Sequence, residues 1–329
     1  MKSFLKYFGI FSILVFLSFF NINSLQAQQE RTISSIITHS NSLNDSTIIC
    51  FISDTQEPML VEKMMHKYNN NDSARKVIFN KILEISPKAV FHLGDIVSLG
   101  SSKSEWERID TFVNKLLSKG IPFYPIPGNH EYLLLSKTGI KNFSKRYPYA
   151  NITGYSKVIA NTAVVLFNSN FNKLSKEQFN QQLDWYMNTL KRYQSDSSIS
   201  FIIVGCHHSP FTNSKVVSPS KEVQKYFLPD FFSTPKCRLF LSGHAHTFEH
   251  FKIKGKNFLI IGGGGGIQQE LYTGSKEKYE DLFDSKSEKR MFHFIIINIE
   301  KDKLIVKLEM LNNDFKTFDN SYKFTLDKF

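Results

Sequence analysis

The sequence predicts an α/β fold in which strand–helix–strand units come first and antiparallel hairpins close the chain. Three observations lead there. Short continuous apolar runs, Ile48–Ser53, Ala89–Leu93 and Ile121–Ile126 among them, have the length of buried strands. Between them lie stretches with apolar residues every three to four positions, the alternation that βαβ crossovers produce. The last third instead pairs its apolar runs around Gly255 and around Lys301-Asp302. With 329 residues, 41% hydrophobic and 14% aromatic, the chain can bury a sizeable core. No internal repeat or second boundary interrupts it, so residues 47–329 read as a single domain.

Each element follows from its local pattern. Ile48–Ser53 is a buried strand ending at Asp54-Thr55-Gln56. A helix over Ser73–Ile85 carries Val77, Ile78, Ile82 and Ile85, with Ser73 as N-cap and Pro87 as its stop. Ala89–Leu93 is a strand ending at Gly94-Asp95. Ser104–Leu117 is a helix with Trp106, Ile109, Phe112, Val113 and Leu116 on one face and Gly120 just beyond. Ile121–Ile126 is a strand that leads into Gly128-Asn129-His130-Glu131. Residues 132–149 read as loop with a short helix. Tyr155–Ile159 and Ala163–Phe167 pair around Asn161. Ser175–Arg192 is a helix, with Ser175 as N-cap, Gln178 at the capping-box position and an apolar stripe of Phe179, Leu183, Tyr186 and Leu190. Ile199–Cys206 is a strand ending at His207-His208-Ser209-Pro210, and Lys221–Phe227 a short helix. Arg238–Ser242 is a strand ending at Gly243-His244-Ala245-His246. Phe248–Ile253 and Lys256–Ile261 form one hairpin, Phe292–Ile299 and Lys303–Met310 another, and Tyr322–Leu326 a last strand. This alternation gathers the polar strand ends at one sheet edge.

The formal charge is +11. Lys2 and Lys6 belong to a leader; the remaining excess is Lys scattered along the chain, either a soluble basic surface or an attraction for anionic substrates or surfaces. Residues 1–27 read as a secretory signal peptide, with Phe8–Phe20 as its apolar centre and Ala27 at the cleavage point. The run is short for a membrane span, although an uncleaved anchor is the alternative. Residues 28–46 form a polar linker. The mature chain is then expected to be periplasmic or secreted, with no membrane span. Cys50, Cys206 and Cys237 have no CxxC spacing, and their odd number argues against a disulfide framework.

Five strand ends carry residues able to hold a metal: Asp54 with Gln56, Asp95, Asn129 with His130, His207 with His208, and His244 with His246. Burying amides, imidazoles and carboxylates together is costly unless they face something charged. Together they read as a two-metal hydrolytic centre. Two carboxylates facing two divalent ions leave a net positive charge that draws in an anion. The run Gly262–Gly266 is not a P-loop, since no Lys-Ser/Thr follows. It is either a backbone approach to phosphate or a flexible turn beside the site. No helix interleaves aromatic and basic residues in a way suited to a nucleic-acid strand.

Asp54-x-Gln56, Gly94-Asp95, Gly128-Asn129-His130-Glu131, His208-x-Pro210 and Gly243-His244-x-His246, in that order, resemble the motifs of the calcineurin-like metallophosphoesterases. The likeness spans residues 48 to about 266. Thr247-Phe248-Glu249-His250 and the glycine run further resemble the purple-acid-phosphatase-like branch. The resemblance implies a four-layer α/β/β/α sandwich of two mixed sheets flanked by helices. It also implies an exported enzyme that hydrolyses phosphate mono- or diesters by attack of a metal-bound hydroxide, with two divalent metal ions (Mn, Fe, Zn or Mg) as cofactors. Asp54, Gln56, Asp95 and His246 would hold the first ion, and Asp95, Asn129, His208 and His244 the second, with Asp95 bridging. His130 would be catalytic, protonating the leaving oxygen. The spacing to the proline selects His208, with His207 as the alternative ligand. Glu131 either orients His130 or caps its loop. Two residues depart from the pattern. Gln56 stands where a His is usual: as a ligand it tilts the first site toward Mn or Mg, with Fe or Zn still open, and otherwise it points away and water fills the position. Gln56 also opens a rival reading, a non-catalytic binding protein on a degraded scaffold; a nuclease-type phosphodiesterase is another. Ser98 stands where purple enzymes carry Tyr, so no ferric-tyrosinate colour is expected. Residues 132–160, 211–220 and 266–290 are the expected walls of the substrate site, with Lys215, Lys221 and Tyr272 as candidate contacts.

Overall fold

Runs rich in Ile, Val and Phe pair into two sheets in the computed structural model, which describes residues 47–328 apart from 66–68, 284 and 286. The expected leader (1–27) and linker (28–46) lie outside the described residues. The order is β1 (Thr47–Ile52), α1 (Leu60–Met64), α2 (Asn71–Ile85), β2 (Ala89–His92), α3 (Lys103–Ser118), β3 (Phe123–Pro125) and α4 (Ser136–Arg146). There follow β4 (Gly154–Ile159), β5 (Thr162–Phe167), α5 (Lys176–Ser195), β6 (Phe201–Cys206), a π-turn (Val223–Phe227), α6 (Leu228–Ser233) and β7 (Cys237–Ser242). The chain closes with β8 (Phe248–Ile253), β9 (Lys256–Ile261), β10 (His293–Ile299), β11 (Lys303–Leu311), β12 (Phe318–Asp319) and β13 (Lys323–Asp327).

The first sheet runs β12-β11-β10-β1-β2-β3, with β13 also on β11; β1, β2 and β3 are parallel and β10 is antiparallel to β1. The second runs β4-β5-β6-β7-β9-β8, parallel from β5 to β9 with antiparallel strands at both edges. The functional strand ends therefore belong to two sheets, where the sequence pattern alone suggested one edge. A run buried on both faces does not record which sheet it joins.

Side-chain alternation shows how the layers stack. Val164, Leu166, Phe201, Ile203, Leu239 and Leu241 face the core shared with the first sheet and with Ile78, Phe79, Ile82 and Trp106 of α2 and α3. Their neighbours Val165, Phe167, Ile202, Val204 and Phe240 face the other way, onto Tyr186 and Leu190 of α5 and onto Phe227 and Phe231. Two mixed sheets flanked by helices result.

Several element bounds differ from expectation. α2 begins at Asn71 rather than being capped by Ser73: Asn71 Nδ2 donates to the carbonyls of Gly265 (2.8 Å) and Gly266 (3.0 Å), so a tertiary anchor sets its start. Ser102 caps α3 by accepting from Glu105 N. The helix expected to end at Phe227 passes through the π-turn into α6, where Pro229 sits in the first turn and costs no hydrogen bond. α1 and β12 carry no periodic signal, being five and two residues long.

Candidate metal centre

Every expected ligand stands just past the C-terminal end of a parallel strand. β1, β2 and β3 deliver Asp54 with Gln56, Asp95, and Asn129 with His130; β6 and β7 deliver His207 with His208 and His244 with His246. Carboxylates and amides thus come from one sheet, and four imidazoles from the other. Asp54, Asp95 and His244 adopt left-handed backbone angles (φ 58°, 55° and 67°), which cost about 1–3 kcal/mol each at non-glycine residues and persist only where the surroundings enforce them. The enforcement is visible. Asp54 N donates to Gly94 O (3.0 Å), Gln56 N to Asp95 O (3.1 Å) and Gly266 N to Asp54 O (2.9 Å). His244 N donates to both oxygens of Asp54 at 3.1 Å.

Main-chain carbonyls fix two of the histidines. His207 Nδ1 donates to Leu93 O at 3.0 Å, which turns Nε2 toward Asn129 Oδ1 (2.9 Å) and Asp95 Oδ2 (3.3 Å). His246 Nδ1 donates to Ile267 O at 2.7 Å and turns Nε2 toward Asp54 Oδ1 at 3.5 Å. The amide of Gln56 finds its partners when its NH2 donates to the carbonyls of Asp54 (3.2 Å) and Asp95 (3.0 Å), leaving its oxygen 3.0 Å from His246 Nε2. In each case an imidazole lone pair would face acceptor oxygens. Either the ring takes a second proton or a cation lies between them. Without a cation the first solution applies. Burial alone would lower His207, but the Asp95 carboxylate raises it to about 9. Burial likewise works against Asp54 and Asp95, yet the facing histidines hold Asp54 below its ordinary value and Asp95 well below the usual carboxylate range. Among the described residues, histidines are the only ion-pair partners of these two carboxylates.

The donor set fits two cations. One ligand atom from each of Asp54, Asp95 and His246 lies within 4.8 Å of the others, and the same holds for His207, His208 and His244. The geometry separates the two adjacent histidines differently from the spacing argument. His207, not His208, lies against Asp95 and Asn129, because it is the first residue past β6. His208 Nδ1 instead pairs with Ser169 Oγ at 2.8 Å, and its other edge approaches His244, with ring centroids 4.5 Å apart. Burial and the neighbouring His207 push His208 down to about 3 and hold His244 well below its ordinary value.

Glu131 resolves as a cap. Its Oε2 accepts from Gly128 N (2.7 Å) and Asp95 N (3.0 Å), and its Oε1 from Ile96 N (2.9 Å) and Val97 N (3.2 Å), tying two ligand loops together. His130 is oriented by Ser98, whose carbonyl accepts from Nδ1 at 2.7 Å; Nε2 lies 3.8 Å from Asp95 Oδ2. A Cβ on Gly128 would run into the Asp95 carboxylate, so glycine is needed there for close approach. The glycine run is a packed turn, not a flexible one. Gly264 N and Gly266 N donate to the carbonyls of Ser53 and Asp54, both at 2.9 Å, and a Cβ on Gly266 would come within 2.6 Å of the His246 ring.

Some contributors escaped the sequence reading. Asn168-Ser169-Asn170 follow β5 and support the centre: Ser169 Oγ accepts from His208 N at 2.8 Å, and Asn170 Nδ2 donates to Pro127 O at 3.1 Å. They carry the same signal as the ligands, polar residues after an apolar run, but without a His, Asp or Glu among them. Of the wall candidates, Lys215 is paired with Glu288 at 2.6 Å and lies over the Tyr272 ring, while Lys221 is exposed.

Comparison with known proteins agrees with this architecture. A family profile described as calcineurin-like phosphoesterase matches residues 48–248. An uncharacterized protein of Bacillus subtilis, YvnB, is 24% identical over 222 residues; the match covers 62% of this chain but 16% of that much longer protein. A purple acid phosphatase from yellow lupin seeds superposes with a TM-score of 0.62 at 15% identity, over 86% of this chain and 54% of that one. GAP50, the anchor in the inner membrane complex of Plasmodium, superposes with a TM-score of 0.63 at 14% identity, over 86% and 89% of the two chains. Among the described residues no helix is long and apolar enough to cross a membrane.

Proposed function

Because the chain belongs to the calcineurin-like phosphoesterases, we propose that it hydrolyses a phosphate ester at the strand-end centre, with two divalent cations as cofactors. One observation carries the reading: the lone pairs of His207 and His246, fixed by carbonyls of Leu93 and Ile267, converge on Asp95 with Asn129 and on Asp54 with Gln56. That arrangement is repulsive without a cation or an added proton and favourable with one. Asp54, Gln56, Asp95 and His246 would hold the first cation. Asp95, Asn129, His207 and His244 would hold the second, with His208 beside it. The Gln56 oxygen is a hard, neutral ligand, which favours Mn or Mg at the first position.

Cations bound there would supply Lewis acidity and lower the pKa of bound water toward neutrality. The chain's own groups do the rest. Asp95 would serve both cations. Glu131 fixes the loops that carry Asp95 and Asn129. His130 presents Nε2 on the same side as Asp95 and hands a proton to the departing ester oxygen. The leader-like residues 1–27 support action outside the cytoplasm.

The test is hydrolysis of p-nitrophenyl phosphate and bis-p-nitrophenyl phosphate by metal-stripped protein. Each is repeated with Mn, Zn, Fe or Mg restored, beside Asp95→Ala. Metal-dependent turnover that disappears in Asp95→Ala is the expected result. No turnover with any metal, together with no metal bound, would overturn it in favour of a binding role on the same scaffold.

A further inference from the structure

The short loop Ser98–Gly100, between Asp95 and α3, is gripped from several sides. Glu105, in the first turn of α3, accepts with one oxygen from Ser98 Oγ at 2.6 Å and Leu99 N at 2.9 Å. Trp106 Nε1 donates to Gly100 O at 2.7 Å, and Asn142 of α4 donates to the same carbonyl at 3.0 Å. A Cβ on Gly100 would come within 2.7 Å of Glu131 Cα, so this loop packs directly on the residue after His130. His130 is joined to the loop twice: Nδ1 donates to Ser98 O at 2.7 Å, and the His130 carbonyl accepts from Gly100 N at 3.0 Å.

Among the described residues no carboxylate accepts from His130 Nδ1. Both Glu131 oxygens are already taken by main-chain N–H groups. The ring therefore depends on a main-chain carbonyl, and that carbonyl stands only where its loop is held. We propose that Glu105 and Ser98 are positioning residues for His130: their contact holds the Ser98 carbonyl so that the ring keeps its proton on Nδ1 and offers Nε2 to the leaving oxygen. The inference rests on the phosphoesterase reading. In the step it serves, the Nε2 proton passes to the ester oxygen as the P–O bond breaks. The ring is left neutral with Nδ1–H, and the proton released by the attacking water restores it. An ester that leaves readily without a proton gains little from this arrangement, whereas an alkyl ester depends on it.

The experiment uses the full chain and its Glu105→Ala, Glu105→Gln, Ser98→Ala, His130→Ala and Glu105→Ala/His130→Ala variants. Each is assayed with p-nitrophenyl phosphate and an alkyl phosphate. Misplacing a reacting group by about 1 Å costs on the order of 100-fold. Glu105→Ala should lower kcat for the alkyl ester by about 10- to 100-fold, leave its KM in place, and change p-nitrophenyl phosphate turnover by no more than about twofold. Glu105→Gln keeps an oxygen able to accept both contacts and should restore most of the loss. In the His130→Ala background Glu105→Ala should add nothing. Long-range ¹H–¹⁵N imidazole spectra of the metal-free chain, at a pH where the ring is neutral, should show Nδ1–H in the wild type and a tautomer mixture in Glu105→Ala and Ser98→Ala. Equal losses on both esters, a loss that persists without His130, or an unchanged tautomer would overturn the proposal. Wild-type protein inert toward both esters with every metal would refute the phosphoesterase reading instead, and the tautomer spectra would still decide the clamp.

Discussion

Replacing Glu249 with Gln should remove a pH dependence built into the fold. Glu249 is fully buried; its Oε1 accepts from Thr212 Oγ1 at 2.7 Å and its Oε2 from Asn213 N at 2.8 Å. Burial pushes the carboxyl from its ordinary 4.5 up to about 8. Between those two values the folded chain holds a proton that the unfolded chain has released, so stability falls as pH rises through the window and is lowest above it. The difference of about 3.5 pH units corresponds to a loss of up to about 5 kcal/mol at 1.36 kcal/mol per unit. Gln has the shape of the protonated acid, can accept from Asn213 N, and can donate to Thr212 Oγ1. Urea unfolding of both proteins at pH 5 and pH 9 measures the effect. Similar stabilities are expected at pH 5, with the variant ahead by several kcal/mol at pH 9. Parallel curves would show that the carboxylate is solvated or paired in the fold, and the reasoning would fail. The site would report the change too, because Ser214 Oγ, next to Asn213, donates to Gln269, whose main-chain N–H is bonded to His246 O.

Three further outcomes follow from the centre. His207→Ala should halve the bound metal measured by elemental analysis, while His208→Ala should keep both ions; equal losses would refute the distinction drawn from Asp95 and Asn129. Glu131→Ala frees the N–H groups of Gly128, Asp95, Ile96 and Val97 from their shared acceptor. Titration calorimetry should find cation affinity about 10- to 100-fold weaker, and an unchanged affinity would contradict its role as a tie between loops. Gly128→Ala should leave the circular dichroism spectrum in place but bind less metal, since its new methyl group meets the Asp95 carboxylate; full metal occupancy would show that the loop yields.

Much of this was legible in the sequence because strand ends punctuate themselves. An apolar run such as Ile199–Cys206 stops where the first imidazole appears, and β8 and β9 fall where the alternation around Gly255 places them. The capping box at Ser175 and Gln178 forms as its spacing implies. What the sequence hides is of two kinds. Pairing between distant strands is one. Nothing in Thr162–Phe167 or Phe201–Cys206 says that they join a second sheet, because both faces of each are buried. Main-chain chemistry is the other. The acceptors that orient His130, His207 and His246 are carbonyls of Ser98, Leu93 and Ile267. Every residue offers a carbonyl, so no residue type marks these. Motif spacing pointed to His208, whereas the end of β6 places His207 against Asp95 and Asn129.

The division of the candidate centre between two sheets has a consequence for how the chain would acquire the proposed cations. All the candidate oxygen donors precede Glu131 and all the candidate imidazole ligands follow Cys206. A chain emerging during synthesis therefore exposes a weak, hard, oxygen-only cluster long before the nitrogen donors exist. Were the proposed centre to bind cations, ions captured early would be held loosely and exchange, and tight retention would begin only once the donors of both sheets are in place. On the proposed function, loading would then come last, after the polypeptide has folded. The ions kept would then be set by the metal supply where the chain folds.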